Sequence, residues 1–318
     1  MSAEAKIKEL ALSQGFDLAG IASLSQAPEN LKRYPEWLSA GYHGEMAYLE
    51  RQKDKRLDPS LVLPGARSMI CLGLIYNTGK PYSTEVPGQP WVSRYAWGDD
   101  YHDLIWAKLS KLEAALRAAL PQSFEMKSYC DTGPVSEKAW AAAAGLGWVG
   151  KHTNLINQEK GSWFFLSEIL TTLDLTPDQP AADLCGSCRK CLDACPTGAF
   201  PEAYTLDATR CISYLTIEKR GEIPADFHQA IGANLYGCDI CQDVCPWNHW
   251  KITGHEAAFQ ARELNFDPEI DKLANIPDEE FSRLYNGSAI QRTKASGLRR
   301  NALIVKANLE KRRGNQES

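Results

Sequence analysis

Cys185, Cys188, Cys191 and Cys195-Pro196 are spaced CxxCxxCxxxCP, and Cys238, Cys241 and Cys245-Pro246 are spaced CxxCxxxCP. A lone Cys211 stands between the two runs. Thiolates are soft ligands suited to iron–sulfur clusters, and the first run has the bacterial ferredoxin spacing, in which the fourth cysteine serves the other cluster. The count closes without remainder. Cys185, Cys188, Cys191 and Cys245 form one set of four, and Cys195, Cys211, Cys238 and Cys241 form the other. Two 4Fe–4S clusters are expected, and with them electron transfer.

Other uses of these cysteines fit less well. Disulfide frameworks belong to small secreted domains, whereas this chain has 318 residues and no exported look at its start. Zinc ribbons use paired CxxC motifs, not a CxxCxxC run closed by Cys-Pro. Met1 to Leu12 mixes charges with Ile7, Leu10 and Ala11 at helical spacing, which is neither signal peptide nor anchor. No apolar run is long enough for a membrane span. Only Cys71 and Cys130 lie outside the cluster sets, a usage that fits a reducing cytoplasm.

The length allows about two domains. A net charge of −5 argues against a protein coated in nucleic acid. The charge is uneven, however. From Ser282 to Arg313 the basic residues Arg283, Arg292, Lys294, Arg299, Arg300, Lys306, Lys311, Arg312 and Arg313 face one acid, Glu310. Such a run is ordinarily a solvated helix face; the sharper reading is a phosphate-binding patch, because polyanions respond to local charge.

Periodicity predicts a helix over 3–14, a strand over 16–21, a helix over 35–51 and a charged loop over 51–56. It goes on to predict a buried strand over 67–76, a helix over 101–120 and a core strand over 124–131. Thr132-Gly133-Pro134 is read as the turn into a helix that runs through Ala144, with Pro134 in its first turn. A further strand is expected over 162–172 and a helix over 296–309. Gly145, Gly147 and Gly150 satisfy GxGxxG, but a helix precedes them where the dinucleotide fingerprint needs a strand. These glycines are instead expected to admit something flat and large.

Longer phrases carry a resemblance. SRYAWGDDYHD (93–103), DTGPVSEKAWAAAAGLGWVGKHTNLI (131–156), GSWFFLSEILT (161–171), the cysteine segment, RCISYLTIEKRGEIP (210–224) and SAIQRTKASGLRRNALI (288–304) together resemble the epoxyqueuosine reductases. The resemblance implies an α+β protein in three parts. A cobalamin-binding, α/β-sandwich-like domain would span 1–175, a bacterial-ferredoxin-like domain with both 4Fe–4S clusters 176–255, and a basic, HEAT-like helical segment contacting tRNA 256–318. One HEAT-like helix is recognisable where relatives often continue, so a short form is expected.

The reaction so implied is the last step of queuosine synthesis: reduction of epoxyqueuosine at the wobble position of tRNA for Asp, Asn, His and Tyr. Two electrons and two protons remove the epoxide oxygen as water, with cobalt chemistry fed by the clusters. Asp131 matches the family's proton donor. As a helix N-cap it would favour its carboxylate; desolvated between corrin and substrate it would favour the acid that this role needs. A cobalt-ligating histidine would show DxHxxG, and Asp100-Tyr101-His102-Asp103-Leu104-Ile105 ends in Ile105 where Gly is required. Base-off cobalamin without a protein axial ligand is therefore expected, with His152 the nearest competitor for that role.

Corrin contacts are assigned to Arg56, Arg94, Tyr95, Asp131, Lys151, His152, Thr153, Asn154, Ser162 and Ser213, and tRNA contacts to Lys219, Arg220, Lys294, Arg299 and Arg300. Trp97, Trp148 and Trp247 are more simply core residues than stacking platforms. A flavodoxin or ferredoxin is the expected electron donor, and a cytoplasmic monomer the expected form. Three rivals are a reductive dehalogenase, a plain ferredoxin-type carrier and an RNA-binding protein with structural clusters. The first usually carries an export signal, and the second has no need of about 180 residues ahead of its clusters.

Overall fold

The computed structural model describes residues 2–249 and 252–317. Within them lie eight strands: β1 (Leu18–Ser23), β2 (Ser68–Ile75), β3 (Trp91–Val92), β4 (Met126–Tyr129), β5 (Trp148–Val149), β6 (Leu155–Ile156), β7 (Phe164–Thr171) and β8 (Asn234–Tyr236). Five helices matter here: α1 (Ala3–Ser13), α2 (Tyr101–Ala119), α3 (Glu137–Ala143), α4 (Ile212–Ile217) and α5 (Lys294–Glu317). No described helix is long and apolar enough to cross a membrane.

The chain packs as two compact units, each discontinuous. One contains residues 1–41, 47–76 and 102–188; the other contains 42–46, 77–101 and 189–318. Residues 77–101 thus fold with the C-terminal half, where the sequence reading places them in the N-terminal domain.

The first unit is built on an antiparallel sheet ordered β1-β2-β7-β4. All eight residues of β2 are buried, and β7 is buried at all but one position. Central strands covered on both faces lose the alternation of a half-exposed strand, so SMICLGLI and FFLSEILT read as nearly continuous apolar runs. Helix α3 lies on the sheet, burying Ala139, Trp140 and Ala141 with Met69, Cys71, Ile75 and Leu170. Helix α2 buries Ile105, Leu109, Leu112 and Leu116, one face of a 3.6-residue period.

Several boundaries move. The expected helix over 35–51 is split into Tyr34–Ser39 and Ala47–Arg51, with Gly41 (φ +72°) and Gly44 (φ +58°) in the left-handed region between them. The charged stretch expected as a loop is helical over Lys53–Leu57, because charge by itself does not oppose helix formation. Helix α3 starts at Glu137, so Pro134 stays in the preceding turn.

GLGWVG leads from α3 into β5, and its glycines serve the chain's own packing rather than a flat ligand. A Cβ on Gly147 would lie 2.0 Å from the Ile156 carbonyl oxygen, and one on Gly145 would lie 2.6 Å from that of Gln179. Gly147→Ala is expected to cost about 3 kcal/mol by overpacking. Gly79→Ala, where a Cβ meets nothing within 4 Å, should be near neutral. Urea unfolding of both variants checks the contrast.

In the second unit β3 pairs in parallel with β8, and the long helix α5 packs beside β8 and α4. Trp97 is 1 % exposed, with the Arg94 guanidinium 4.4 Å from its ring centre and Phe266 edge-on at 5.2 Å, so core packing is its role.

Candidate active site and cluster-binding segments

The turn after β4 carries Asp131 with φ +56°. Left-handed backbone is strained for most residues and least so for Asn and Asp. Two anchors hold the turn. Arg56 donates through Nη1 to the Val135 carbonyl at 2.7 Å and through Nη2 to that of Gly133 at 3.3 Å. Glu137, in the first turn of α3, accepts the Asp131 N–H at 2.5 Å. Gly133 is required here, because a Cβ would sit 2.4 Å from the Tyr129 ring.

One expected environment of Asp131 is corrected: the N-cap of α3 is Ser136, so Asp131 is not the cap of that helix. Its side chain is 59 % exposed, and Oδ2 lies 3.5 Å from Nε2 of His102, in the first turn of α2. Sequence reasoning weighed His102 only as a cobalt ligand and missed this placement, since nothing in DYHDLI reports what it faces.

Lys151, His152, Thr153 and Asn154 form the loop of the β5–β6 hairpin, closed by the Gly150 N–H donating to the Asn154 carbonyl at 2.9 Å. Thr153 is left-handed, with φ +64°. His152 is 3 % exposed, and burial pushes its pKa down to about 4, so the ring is neutral. Its Nδ1 accepts the Asn154 N–H at 3.2 Å, which places the ring hydrogen on Nε2. That buried Nε2 has no protein partner. In this tautomer His152 presents a hydrogen-bond donor at Nε2. Asn154 Oδ1 accepts from Lys138 Nζ at 2.8 Å, and Ser162 is buried just ahead of β7.

Lys151 is directed at the cysteine segment, donating to the carbonyls of Gly186 (2.5 Å) and Cys188 (2.9 Å). Trp148 Nε1 lies 3.5 Å from Cys185 Sγ, a donor aimed at the sulfur. Such N–H donors stabilise a thiolate and tune a cluster's potential.

In the second unit Cys195, Cys211, Cys238 and Cys241 interact electrostatically, and Cys191 lies within reach of Cys241. Burial first, and then the neighbouring sulfurs, push the Cys238 and Cys241 thiols well up. Among the described residues no three Cys, His, Asp or Glu converge as around a single ion; a cube takes its thiolates at separate corners. Buried Asp239, between Cys238 and Cys241, accepts from Trp91 Nε1 (2.9 Å), Ser93 Oγ (2.5 Å) and the Arg94 N–H (2.8 Å), fixing that CxxC. Ser213 is half-buried in α4, and with Tyr214 it offsets part of the rise that burial gives the Cys211 thiol.

Arg94 is 2 % exposed and is engaged by the carbonyls of Thr78, Lys80 and Pro81. Tyr95 bonds Tyr236 hydroxyl to hydroxyl at 3.1 Å. The basic run is partly neutralised by acids outside it: Glu280 meets Arg283, Glu218 meets Arg292, Asp278 meets Arg299 and Asp271 meets Lys306. Lys219 pairs with Glu45. Arg220 and Arg300 are spent on backbone carbonyls, Arg300 on those of Leu215, Lys219 and Gly221. Lys294 begins α5, exposed and left-handed (φ +65°).

Residues 184–248 match a family model described as a 4Fe-4S double cluster binding domain, and residues 56–132 match one described as epoxyqueuosine reductase QueG. An epoxyqueuosine reductase of Gloeobacter violaceus is 46 % identical over 306 residues, 94 % of each chain. One from Cellulophaga algicola is 40 % identical over 305 residues, 94 % of this chain and 97 % of the relative. The chain belongs to the epoxyqueuosine reductase family. As in the other epoxyqueuosine reductases, the activity is that of an oxidoreductase.

Solved structures agree. An epoxyqueuosine reductase crystallised with an epoxyqueuosine-modified tRNA-Tyr stem loop superposes with a TM-score of 0.87 at 34 % identity, covering 96 % of this chain and 81 % of that one. A Bacillus subtilis epoxyqueuosine reductase, solved with its catalytic aspartate loop swung out of the active site, gives 0.85 at 34 % identity with the same coverage. The double-cluster match bears out the expectation of two 4Fe–4S clusters.

Proposed function

We propose that this chain reduces epoxyqueuosine to queuosine at the wobble position of tRNA for Asp, Asn, His and Tyr, using base-off cobalamin and two 4Fe–4S clusters, with Asp131 as proton donor. The observation that carries this reading is the strained turn at Asp131, held by Arg56 and Glu137 and facing His102. A left-handed, over-determined acid at the mouth of a strand is a costly arrangement, and such strain is concentrated at functional sites.

Opening the epoxide breaks a C–O bond and would leave an alkoxide. An acid close to that oxygen avoids the anion, and a second proton releases the oxygen as water while two electrons complete the alkene. Asp131 is exposed enough to reach a substrate. Its ionised state is disfavoured once substrate and cofactor displace water from it.

Cobalamin fits the residues in one specific way: the buried, unpartnered Nε2–H of His152 is a donor awaiting an acceptor. Cobalamin, when bound, supplies a reducible cobalt that passes electrons to the epoxide. His152, the left-handed Thr153, Asn154, Lys151 and Ser162 would hold it, with Arg56 keeping the Asp131 turn in place. Arg94, Tyr95 and Ser213 would support it indirectly, since their polar atoms are engaged within the protein.

For tRNA, a relative's complex with a modified stem loop supports the substrate, and exposed Lys294 would be a phosphate ligand. Lys219, Arg220, Arg299 and Arg300 would add a positive field while their donors shape the protein. Ten cysteines with no disulfide among them suit a cytoplasmic setting, and a flavodoxin or ferredoxin would be the electron donor.

The test is anaerobic reconstitution of the full chain followed by metal analysis and turnover. About eight iron and about one cobalt per chain are expected. An anticodon stem-loop carrying epoxyqueuosine should be converted when a strong reductant is supplied. Zinc in place of iron, or no retained corrin, would refute the reading.

A further inference from the structure

Beneath the Asp131 turn lies a carboxyl group that the reaction scheme does not use. Glu168 is 0 % exposed in the middle of β7, opposite Cys71 of β2 and Tyr129 of β4. No N–H or hydroxyl reaches either of its oxygens, and no lysine or arginine pairs with it among the described residues. Its hydrogen-bond partner is the carboxyl of Glu137, the same side chain that accepts the Asp131 N–H. Two carboxylates cannot hydrogen-bond each other, so that contact exists only while one proton is shared between them.

We propose that Glu137 and Glu168 hold at least one proton between them, and that this protonated pair positions Asp131 by fixing its left-handed turn. This deepens the reading of Asp131 as the proton donor and rests on it. With the proton in place Glu137 is pinned by Glu168 on one side and receives the Asp131 N–H on the other. Remove the proton and two buried like charges repel, with the Asp131 carboxylate adding to the repulsion. The groups facing the pair are Cys71 from β2, Tyr129 from β4, Asp131 from the turn and Lys138 from α3; of these only Lys138 is cationic, and it acts on Glu137 less than burial, Asp131 and Glu168 do. His102 of α2 faces Asp131.

A stability signature follows. Burial first, then Asp131, raises the Glu137 carboxyl from 4.5 to about 8, and burial first, then Glu137, raises Glu168 well above its ordinary value. The native chain then binds more protons than the unfolded one across that window. Stability therefore falls as pH rises from 4.5 to about 8, and the contribution is intact below it.

Infrared difference spectra of the full chain at neutral pH should show a protonated-carboxyl C=O band that shifts in Glu168→Gln and disappears when Glu137→Gln is combined with it, and the downward pH slope of stability should flatten in that double variant. Absence of the band from the unmutated protein overturns the proposal, as does an unchanged band in both Glu168→Gln and Glu137→Gln. If Glu168→Gln does not fold, Glu137→Gln is read alone. In turnover, Glu137→Ala should lose about 100-fold in kcat through misplacement of the turn, while Glu137→Gln, which still accepts the Asp131 N–H, stays within about tenfold of the parent. An active Asp131→Asn with the band and slope intact would defeat the proton-donor reading and leave the shared proton standing.

Discussion

Asp131→Asn is expected to lower kcat by about 10²–10⁴-fold, the range a positioned general acid contributes. The substitution isolates chemistry from structure. Asn adopts left-handed backbone nearly as readily as Asp, so φ +56° costs little to keep. The side chain is 59 % exposed, and the turn is anchored by Arg56 and Glu137 through backbone atoms that the substitution leaves in place. Iron, corrin and unfolding midpoint should match the parent, with the loss confined to single-turnover conversion of epoxyqueuosine. Normal turnover in Asp131→Asn would remove Asp131 from the mechanism. Asp131→Ala is a poorer probe, because a left-handed alanine adds about 1–3 kcal/mol of strain.

Cys241→Ala should remove one cluster outright. Cys241 feels Cys211, Cys191 and Cys195 together, the densest meeting of sulfurs in the second unit. Iron is expected to fall to about half, with loss of the reductase activity, because a missing cluster interrupts single-electron delivery. The matched control is Cys71→Ala. Cys71 is 0 % exposed in the sheet of the first unit and belongs to neither set, so its variant should keep all its iron at some cost in packing. Equal iron loss in both variants would point to general unfolding instead.

The parts of this protein that the sequence disclosed are those in which chemistry or burial leaves a periodic trace. Eight thiols at fixed spacing declare their cofactor. The strands over Ser68–Ile75 and Phe164–Thr171 declare themselves by apolar runs. What stayed hidden depends on tertiary direction. Nothing in DTGP shows that Asp131 would turn left-handed rather than cap a helix, and the guanidinium of Arg56 comes to it from far back in the chain. Arg94 is expected as a corrin contact and Arg300 as a tRNA contact, yet both are absorbed by backbone carbonyls. Glu168 left a usable signal: a lone acid inside FFLSEILT, an otherwise apolar strand, is too costly to bury without a reason.

The pairing of β3 with β8 has a bearing on how the polypeptide is made. Trp91 and Val92 leave the ribosome long before Asn234 to Tyr236, the strand they join, and Asp239, which grips Trp91, Ser93 and Arg94, comes later still. Until then the nascent segment has an unmated edge and a tryptophan without its pocket, a state open to chaperones and to aggregation. Cutting the gene ahead of the cysteine runs would leave β8 and Asp239 of the ferredoxin-like half without β3 and its donors, so that half is expected to be insoluble unless residues 77–101 are supplied with it.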